Sequence, residues 1–336
     1  MNRMRQLLNI LKKVGFDGFL LGLLSVIVLA YFWPTPGVYN GYISLSKIAN
    51  YGVSVIFFLY GLRLTPDKLR VGLSNWKLHS LIHISTFVLF PVIILLGMFL
   101  FSTSETSLLW LSIFFLSVIP STVSSSVVMV SIAGGNIPAA IFNASISSLI
   151  GVFITPLWMG LFLSGKSSSF DVWSVIGKLI LQVIVPVVAG ILLNKYWGHF
   201  AERHRKLLRS FDQTIILLIV YTSFSESFAH HMFERYGAHD IVLMGVSMMG
   251  LFFFMFALIY WITRMFKFTR EDRITALFCG SKKSLVQGSV MAKVLFPDSN
   301  VVGVVLLSVM MYHALQLVAA SVIAQSMAKR GRLDAE

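Results

Sequence analysis

Two polar stretches interrupt two long apolar segments of this chain, each near the middle of its segment. The first, from Pro120 to Ser126, reads PSTVSSS, and the second, from Gly280 to Ser284, reads GSKKS. Polar interruptions at matching places in the two halves of a hydrophobic chain are typical of binding sites in membrane transporters. The pattern therefore predicts that the two stretches meet and form a ligand site.

Lys282 and Lys283 are the strongest candidates for chemistry at this site. They lie about 10 residues, or about 15 Å at helical rise, from either end of their segment, which is too far for easy snorkelling. A charge at membrane depth is costly and is usually kept for a role. The plainer alternative is that the lysines snorkel after all or lie in a loop. Consecutive helical positions point about 100° apart, so we expect one of the two to face the site, and the sequence leaves open which.

Hydroxyl side chains stand beside both interruptions. Ser121 or Thr122 is expected to cap the helix that restarts after Pro120, and Ser281 the helix that restarts after Gly280. Two restarted helices would direct the partial positive charge of their N-termini at one region, which favours an anion. The alternative is that the serines only ease close helix packing. The predicted substrate contacts are Lys282, Lys283, Ser281, Ser284, Ser121, Thr122, Ser125 and Ser126.

The composition indicates a membrane protein. The chain of 336 residues is 57% hydrophobic, with a mean hydropathy of +0.82. Its net charge of +13 would suggest nucleic acid in a soluble protein, but the basic residues stand in short connections between apolar stretches. The basic N-terminal segment, residues 1–16, predicts an amphipathic lead-in and not a cleaved signal peptide. The single Cys279 excludes a disulfide within the chain, and we predict neither a metal site nor a cofactor.

The apolar stretches predict an all-α polytopic membrane protein with ten transmembrane helices, because they are long and do not alternate with period two. The predicted limits are 15–34, 48–64, 78–101, 107–133, 137–163, 173–194, 207–228, 240–263, 274–296 and 301–327. The fourth and ninth of these spans carry the interruptions, so we expect each of them to be a discontinuous helix.

Lysine and arginine predict the orientation of these spans. If the N-terminus is cytoplasmic, 20 of the 27 basic residues fall in cytoplasmic segments, and only Lys47, Lys166 and Arg235 fall in outer loops. Both termini are therefore expected in the cytoplasm. A polar stretch at 164–172 separates five spans from five, and an odd number per half gives the halves opposite orientations. We predict two inverted five-helix repeats, residues 1–163 and 173–336.

Several short motifs resemble a known family. They are Tyr60–Pro66 (YGLRLTP), Pro120–Ser126, Gly135–Asn136 and Phe278–Leu285 (FCGSKKSL). Together with the paired interruptions, they resemble the bile acid:sodium symporter superfamily, and within it the SBF-like bacterial branch, over nearly the whole chain. The resemblance implies a multi-pass protein of the bacterial inner membrane. It also implies a core and a panel, each assembled from both repeats, with substrate bound where spans four and nine cross.

The same resemblance puts sodium in question. In the sodium-coupled members the ninth-span interruption carries a glutamate followed by a glutamine and an asparagine, whereas this chain reads SKKSLV from Ser281 to Val286. The family's Ser-Asn pair appears as Ser125-Ser126, and its third-span glutamine appears as Thr86. Sodium is therefore not expected to be strongly required. A lysine could replace the bound sodium as a fixed cation, exchange protons, or hold a substrate's carboxylate, sulfonate or phosphate.

Three further polar residues are candidates for ion binding or coupling. Asn143 lies in the fifth span, where a buried amide needs partners, and Thr86 lies in the third. Glu226 lies in the seventh span, where it could partner a lysine or relay protons, or lie at the interface without a role. His83 and His313 are better explained as packing residues, and no spacing supports a metal site.

The sequence thus favours a secondary-active transporter that moves a small or amphipathic organic anion by alternating access. Its partners would be the lipid bilayer and the anion, with sodium or protons as candidate coupling ions and no nucleic acid. One alternative is a sodium-coupled, bile-acid-like symporter with atypical ligands. Another is a membrane regulator or scaffold on a transporter-like fold. An enzyme is not expected, because the sequence has no HExxH and no nucleophile–base pairing.

Overall fold

The computed structural model describes residues 18–39, 41, 44–62, 75–101, 107–164, 177, 180–231, 234, 237–296 and 301–333. Several sequence features therefore lie outside the described residues. They are the basic N-terminal segment, residues 63–66 of the YGLRLTP motif, the junction at 165–172, and Arg235.

The described residues form helices and contain no strand. The helices are α1 (Gly18–Phe32), α2 (Thr35–Val38), α3 (Leu45–Leu62), α4 (Trp76–Ile84), α5 (Phe90–Phe101), α6 (Ser107–Val118), α7 (Ser124–Ala133), α8 (Ile137–Ser164), α9 (Val185–Arg203), α10 (Arg205–Ala229), α11 (Ala238–Met265), α12 (Arg270–Gly280), α13 (Leu285–Leu295) and α14 (Val302–Leu333). Two π-helical turns, Ser85–Leu89 and Ile180–Ile184, join α4 to α5 and lead into α9.

Seven of the described helical segments are long and apolar enough to cross a bilayer. The all-helical, polytopic character predicted from the sequence is therefore confirmed. The fourth and ninth predicted spans are each divided into two short helices, α6 and α7 in one and α12 and α13 in the other. The count of ten spans, the inverted repeats and the position of the termini stay predictions.

The helices pack most extensively in two groups. Helix α3 packs along α9, and α10 packs on α1, α2 and α3. In the second group, α14 contacts α6, α7, α11 and α13, while α12 contacts α4, α7, α8 and α11. Helix α10 joins the groups through its contacts with α13 and α14. Both interrupted spans therefore belong to the second group, and α10 packs on α13, the second half of the ninth span.

A cluster of polar side chains fastens the start of α12 to its neighbours. Asp272 accepts hydrogen bonds from Asn75, before α4, at 2.7 Å and from Asn136, between α7 and α8, at 2.9 Å. The turn before Asn136 is possible because Gly134 has a positive φ of 76°, which a glycine adopts without strain. Thr269 caps α12 by accepting a bond from the Asp272 amide at 3.2 Å. These bonds fix the first half of the ninth span relative to the third, fourth and fifth.

Helices α3 and α9 approach each other backbone to backbone at Gly61 and Gly190. A Cβ atom built on Gly190 would overlap the carbonyl oxygen of Phe58, and one built on Gly61 would overlap that of Val187. Small residues allow such close approach. In a membrane, helices associate mainly by close packing, because the lipid is as apolar as their side chains.

We therefore predict that Gly190→Ala destabilises the protein. The methyl group has no space unless α3 and α9 separate, so the loss should be about 1–3 kcal/mol, as for other overpacked interiors. Gly250→Ala in α11 is the matched control, because its Cβ would meet nothing within 4 Å. Thermal unfolding of both purified variants in detergent measures the effect, and equal melting temperatures would contradict it.

Candidate functional site

The two interruptions meet directly in the interior. The Ser284 amide donates to the Pro120 carbonyl at 2.9 Å, and the Ser126 hydroxyl donates to the Phe278 carbonyl at 3.0 Å. Residues 281–285 are buried, and Lys282 and Lys283 are 0% and 1% exposed. The charged groups predicted to lie at membrane depth are thus enclosed by protein where the two interruptions meet.

The ammonium group of Lys283 lies among three backbone carbonyls. It donates to Thr86 at 2.8 Å, to Ile119 at 3.0 Å and to Ser117. The ring of Phe90 adds its face, with its centroid 4.3 Å from the nitrogen. An ammonium group has three N–H donors, so these carbonyls use all of them.

Local backbone structure explains why these carbonyls are free to accept. Helix α6 ends at Val118, so its last carbonyls have no partner within the helix. At this end of the helix, Lys283 donates to the carbonyls of Ser117 and Ile119. Thr155 donates to the Val118 carbonyl at 2.7 Å, and the Ser284 amide donates to the Pro120 carbonyl. The Thr86 carbonyl lies in the π-helical turn, where the regular i to i−4 ladder is interrupted. Each of these polar groups therefore finds a partner inside the protein.

Helix α14 satisfies the backbone of the second interruption. The Gln316 side chain accepts from the Lys283 amide at 2.9 Å and donates to the Lys283 carbonyl at 2.7 Å. Tyr312 donates to the Ser281 carbonyl at 2.7 Å. Gln316 thus replaces the backbone partners that Lys283 would have in a continuous helix.

Lys282 lies in a different environment, at the start of α7. Its ammonium group donates to the Ser125 hydroxyl at 2.7 Å. Ser125 in turn donates to Thr122 at 2.9 Å, and the hydroxyls of Thr122 and Ser126 lie 2.7 Å apart. The ammonium group therefore leads a chain of hydroxyls across the first interruption. Ser125, Ser126 and Thr122, all named from the sequence, are brought together with Lys282.

The predicted helix caps were wrong in their residues. Helix α7 has Val123 at its N-cap, with no side-chain cap bond. The Ser121 hydroxyl has no described hydrogen-bond partner, and the Ser121 amide donates to the Ser147 hydroxyl at 3.0 Å. In the second interruption Ser281 donates to Leu277 at 2.6 Å, whereas Ser284 caps α13 by accepting from the Gln287 amide. The backbone stays unwound from Ser281 to Ser284, so the cap of α13 is Ser284, three residues after the predicted Ser281.

No described hydrogen bond joins the predicted ion-coupling residues to one another. Thr86 takes part through its carbonyl, while its hydroxyl donates to Ile82. Asn143 is buried and donates to Ala139 within α8, with its side-chain oxygen unpartnered among the described residues. Glu226 lies half-buried on α10. In the described part of the chain, no ion pair joins Glu226 or any other carboxylate to either lysine.

Sequence reasoning missed Gln316, Tyr312, Thr155 and Phe90. The partner of each is remote in sequence, so no local pattern marks these residues. Asp272 was also missed, although it follows Thr269 in the pattern of a helix N-terminus.

Comparison with known proteins places the chain in a family. The model of the SBF-like CPA transporter family matches residues 17–329. The chain belongs to the SBF-like CPA transporter family. It is 39% identical over 319 residues to the uncharacterized protein PA2026 of Pseudomonas aeruginosa, covering 94% of this chain and 93% of that one.

Two further relatives carry functional names. The putative symporter YfeH of Escherichia coli is 34% identical over 311 residues, covering 92% of each chain. Sodium/bile acid cotransporter 7-A of Xenopus laevis is 30% identical over 320 residues, covering 94% of this chain and 93% of that one. The resemblance predicted from the interruptions and motifs is therefore confirmed. The membrane location and the general class of transporter follow from the family.

We predict that Gln316→Leu destabilises the protein. The substitution keeps most of the bulk but leaves the amide and carbonyl of Lys283 buried without partners, at a cost of about 1–3 kcal/mol for each group. Gln325→Leu, at an exposed position on the same helix, is the control. Thermal unfolding should show a clearly lower melting temperature for Gln316→Leu alone, and equal values for the two variants would contradict the assigned role.

Proposed function

We propose that this protein is a secondary-active transporter of a small or amphipathic organic anion, which binds at the crossing of the two interrupted spans. The observation that carries the proposal is the Lys282 ammonium group, which is buried with a single described hydrogen bond. Burying a charge is costly unless it is paired. An anionic ligand would supply the missing partner.

The donor count distinguishes the two lysines. Lys283 donates to three carbonyls, whereas Lys282 donates to Ser125 and has no second acceptor among the described residues. Two N–H groups of Lys282 are therefore available for a carboxylate, sulfonate or phosphate. The Ser125 hydroxyl lies 2.7 Å from the ammonium nitrogen and donates to the Thr122 hydroxyl, so polar side chains line the region beside the ammonium group. We therefore assign the substrate contact to Lys282 and not to Lys283.

Access to Lys282 requires a change of conformation, because its side chain has no exposed surface here. Helix α10 packs on α13, the second half of the ninth span, and on α14, which holds the unwound segment through Gln316. Buried polar atoms without described partners stand on both α10 and α13, namely the hydroxyls of Ser223 and Ser289 and the side-chain oxygen of Gln287. Unpaired polar atoms favour separation of these helices or entry of a polar ligand. They support alternating access by motion of the first helix group against the second.

The names of the relatives support transport, and they raise the question of coupling. One is named a putative symporter and another a sodium/bile acid cotransporter. We propose that this chain does not strongly require sodium, because no acid stands in its ninth-span interruption and the Lys283 ammonium group already occupies three carbonyls of the third and fourth spans. A sodium-coupled, bile-acid-like symporter with atypical ligands is the competing hypothesis, and the relative's name favours it.

A screen of organic anions tests the transport function itself. Carboxylates, sulfonates and phosphate esters that raise the melting temperature of the purified protein are then assayed for uptake into proteoliposomes. We expect at least one stabilising anion to be taken up against its own gradient when a cation gradient is imposed. Stabilisation without any uptake would favour a regulator or scaffold over a transporter.

We predict that Lys282→Met weakens binding of the stabilising anion by roughly tenfold or more. Methionine keeps much of the bulk but removes the charge, and one decade of affinity corresponds to about 1.4 kcal/mol. Lys47→Met, on an exposed lysine, is the control and should leave the affinity unchanged. Calorimetry on the folded proteins measures both, and unchanged affinity in Lys282→Met would exclude the assigned contact.

We also predict that sodium changes anion affinity by less than about tenfold, or 1.4 kcal/mol. Binding is measured at equal ionic strength in sodium chloride and in potassium chloride. A steep rise in affinity with sodium that potassium does not reproduce would establish the sodium-coupled alternative.

A further inference from the structure

The surroundings of Lys283 have the form of a cation site and not of an ion pair. Three carbonyl oxygens and the face of Phe90 converge on its nitrogen, while no carboxylate lies within ion-pair distance of it in the described part of the chain. Carbonyl oxygens and aromatic faces are the groups that solvate cations inside proteins. We propose that Lys283 is a tethered cation that permanently fills a monovalent-cation site built from backbone oxygens.

The chemistry of the acceptors favours a positively charged occupant with three donors. A carbonyl oxygen only accepts, so three of them around one nitrogen match the three N–H groups of an ammonium ion. A neutral amine has two N–H groups and would direct its lone pair at the third oxygen. An apolar side chain would leave all three oxygens buried without a partner.

The position of the site explains why a cation is needed there. Ser117 and Ile119 stand at the C-terminal end of α6, where the helix dipole places partial negative charge. Thr86 adds a third carbonyl from a π-helical turn more than 30 residues away in the chain. These oxygens belong to two different spans, so the ammonium group also holds the third span against the fourth.

A tethered ammonium group cannot diffuse away, so occupancy of this site does not depend on the concentration of ions in solution. The inference concerns the cage of carbonyls around Lys283 and does not depend on the anion assigned to Lys282. If the side chain is removed beyond Cβ, the remaining space has the shape and polarity of a primary alkylammonium ion. The truncated protein should therefore bind such an ion from solution.

Propylammonium is the probe, because it carries the three carbons and the nitrogen that Lys283→Ala removes. In Lys283→Ala we expect propylammonium chloride to raise the melting temperature by roughly 2–4 °C near ten times its dissociation constant. The neutral alcohol 1-propanol at the same concentration should not do so. Lys282→Ala is the matched control, because it removes the neighbouring ammonium group, which lies against a hydroxyl and not in the carbonyl cage.

Specific rescue of Lys283→Ala by propylammonium supports the proposal. Equal shifts in Lys283→Ala and Lys282→Ala, or an equal effect of 1-propanol, would overturn it. If Lys283→Ala does not fold, Lys283→Met decides the question, because it keeps the bulk without the charge. Lys283→Met should then melt well below Lys282→Met, and a Lys283→Met protein as stable as the wild type would show that the cage needs no cation.

Discussion

Breaking a helix inside a membrane frees backbone groups that lipid cannot satisfy, and the interior of this protein is organised around that constraint. Carbonyls of residues 117–120 lose their helical partners where α6 ends, and each finds another inside the protein. Two of the donors come from the second interruption. The second interruption therefore supplies donors to the first, and the Ser126 hydroxyl of the first donates to Phe278 near the end of α12, which explains why the two meet.

The same arrangement gives two adjacent lysines different hydrogen-bond partners. Lys283 uses all three of its donors on backbone carbonyls, so its charge stabilises the crossing and is not available to a ligand. Lys282 has a single described hydrogen bond, to Ser125, in a region of hydroxyls. We propose that the charge of Lys283 is structural and that the charge of Lys282 is functional. A cation fixed at the crossing would also reduce the need for a bound one, in keeping with the missing acid in the ninth span.

The sequence was sufficient to predict the class of fold, the family and the two interruptions, because length and hydropathy in a membrane leave few alternatives. It also predicted Lys282, Thr122, Ser125 and Ser126 as members of one set of substrate contacts, and the structure joins them by hydrogen bonds. It was not sufficient to separate the lysines. Helical geometry would direct the two side chains about 100° apart, whereas the backbone is unwound from Ser281 to Ser284. Gln316 could not be predicted, because nothing local marks one amide among the apolar residues of α14 as the partner of a residue 33 positions away.

A structure with a stabilising anion bound tests the central claim, which is the division of roles between the lysines, most directly. We expect the anion to lie within about 3.2 Å of the Lys282 nitrogen, which is hydrogen-bond distance. The Lys283 nitrogen should keep its contacts with Thr86, Ser117 and Ile119, because the cage serves the fold in every state. An anion bound to Lys283, with the carbonyl cage opened, would contradict the account.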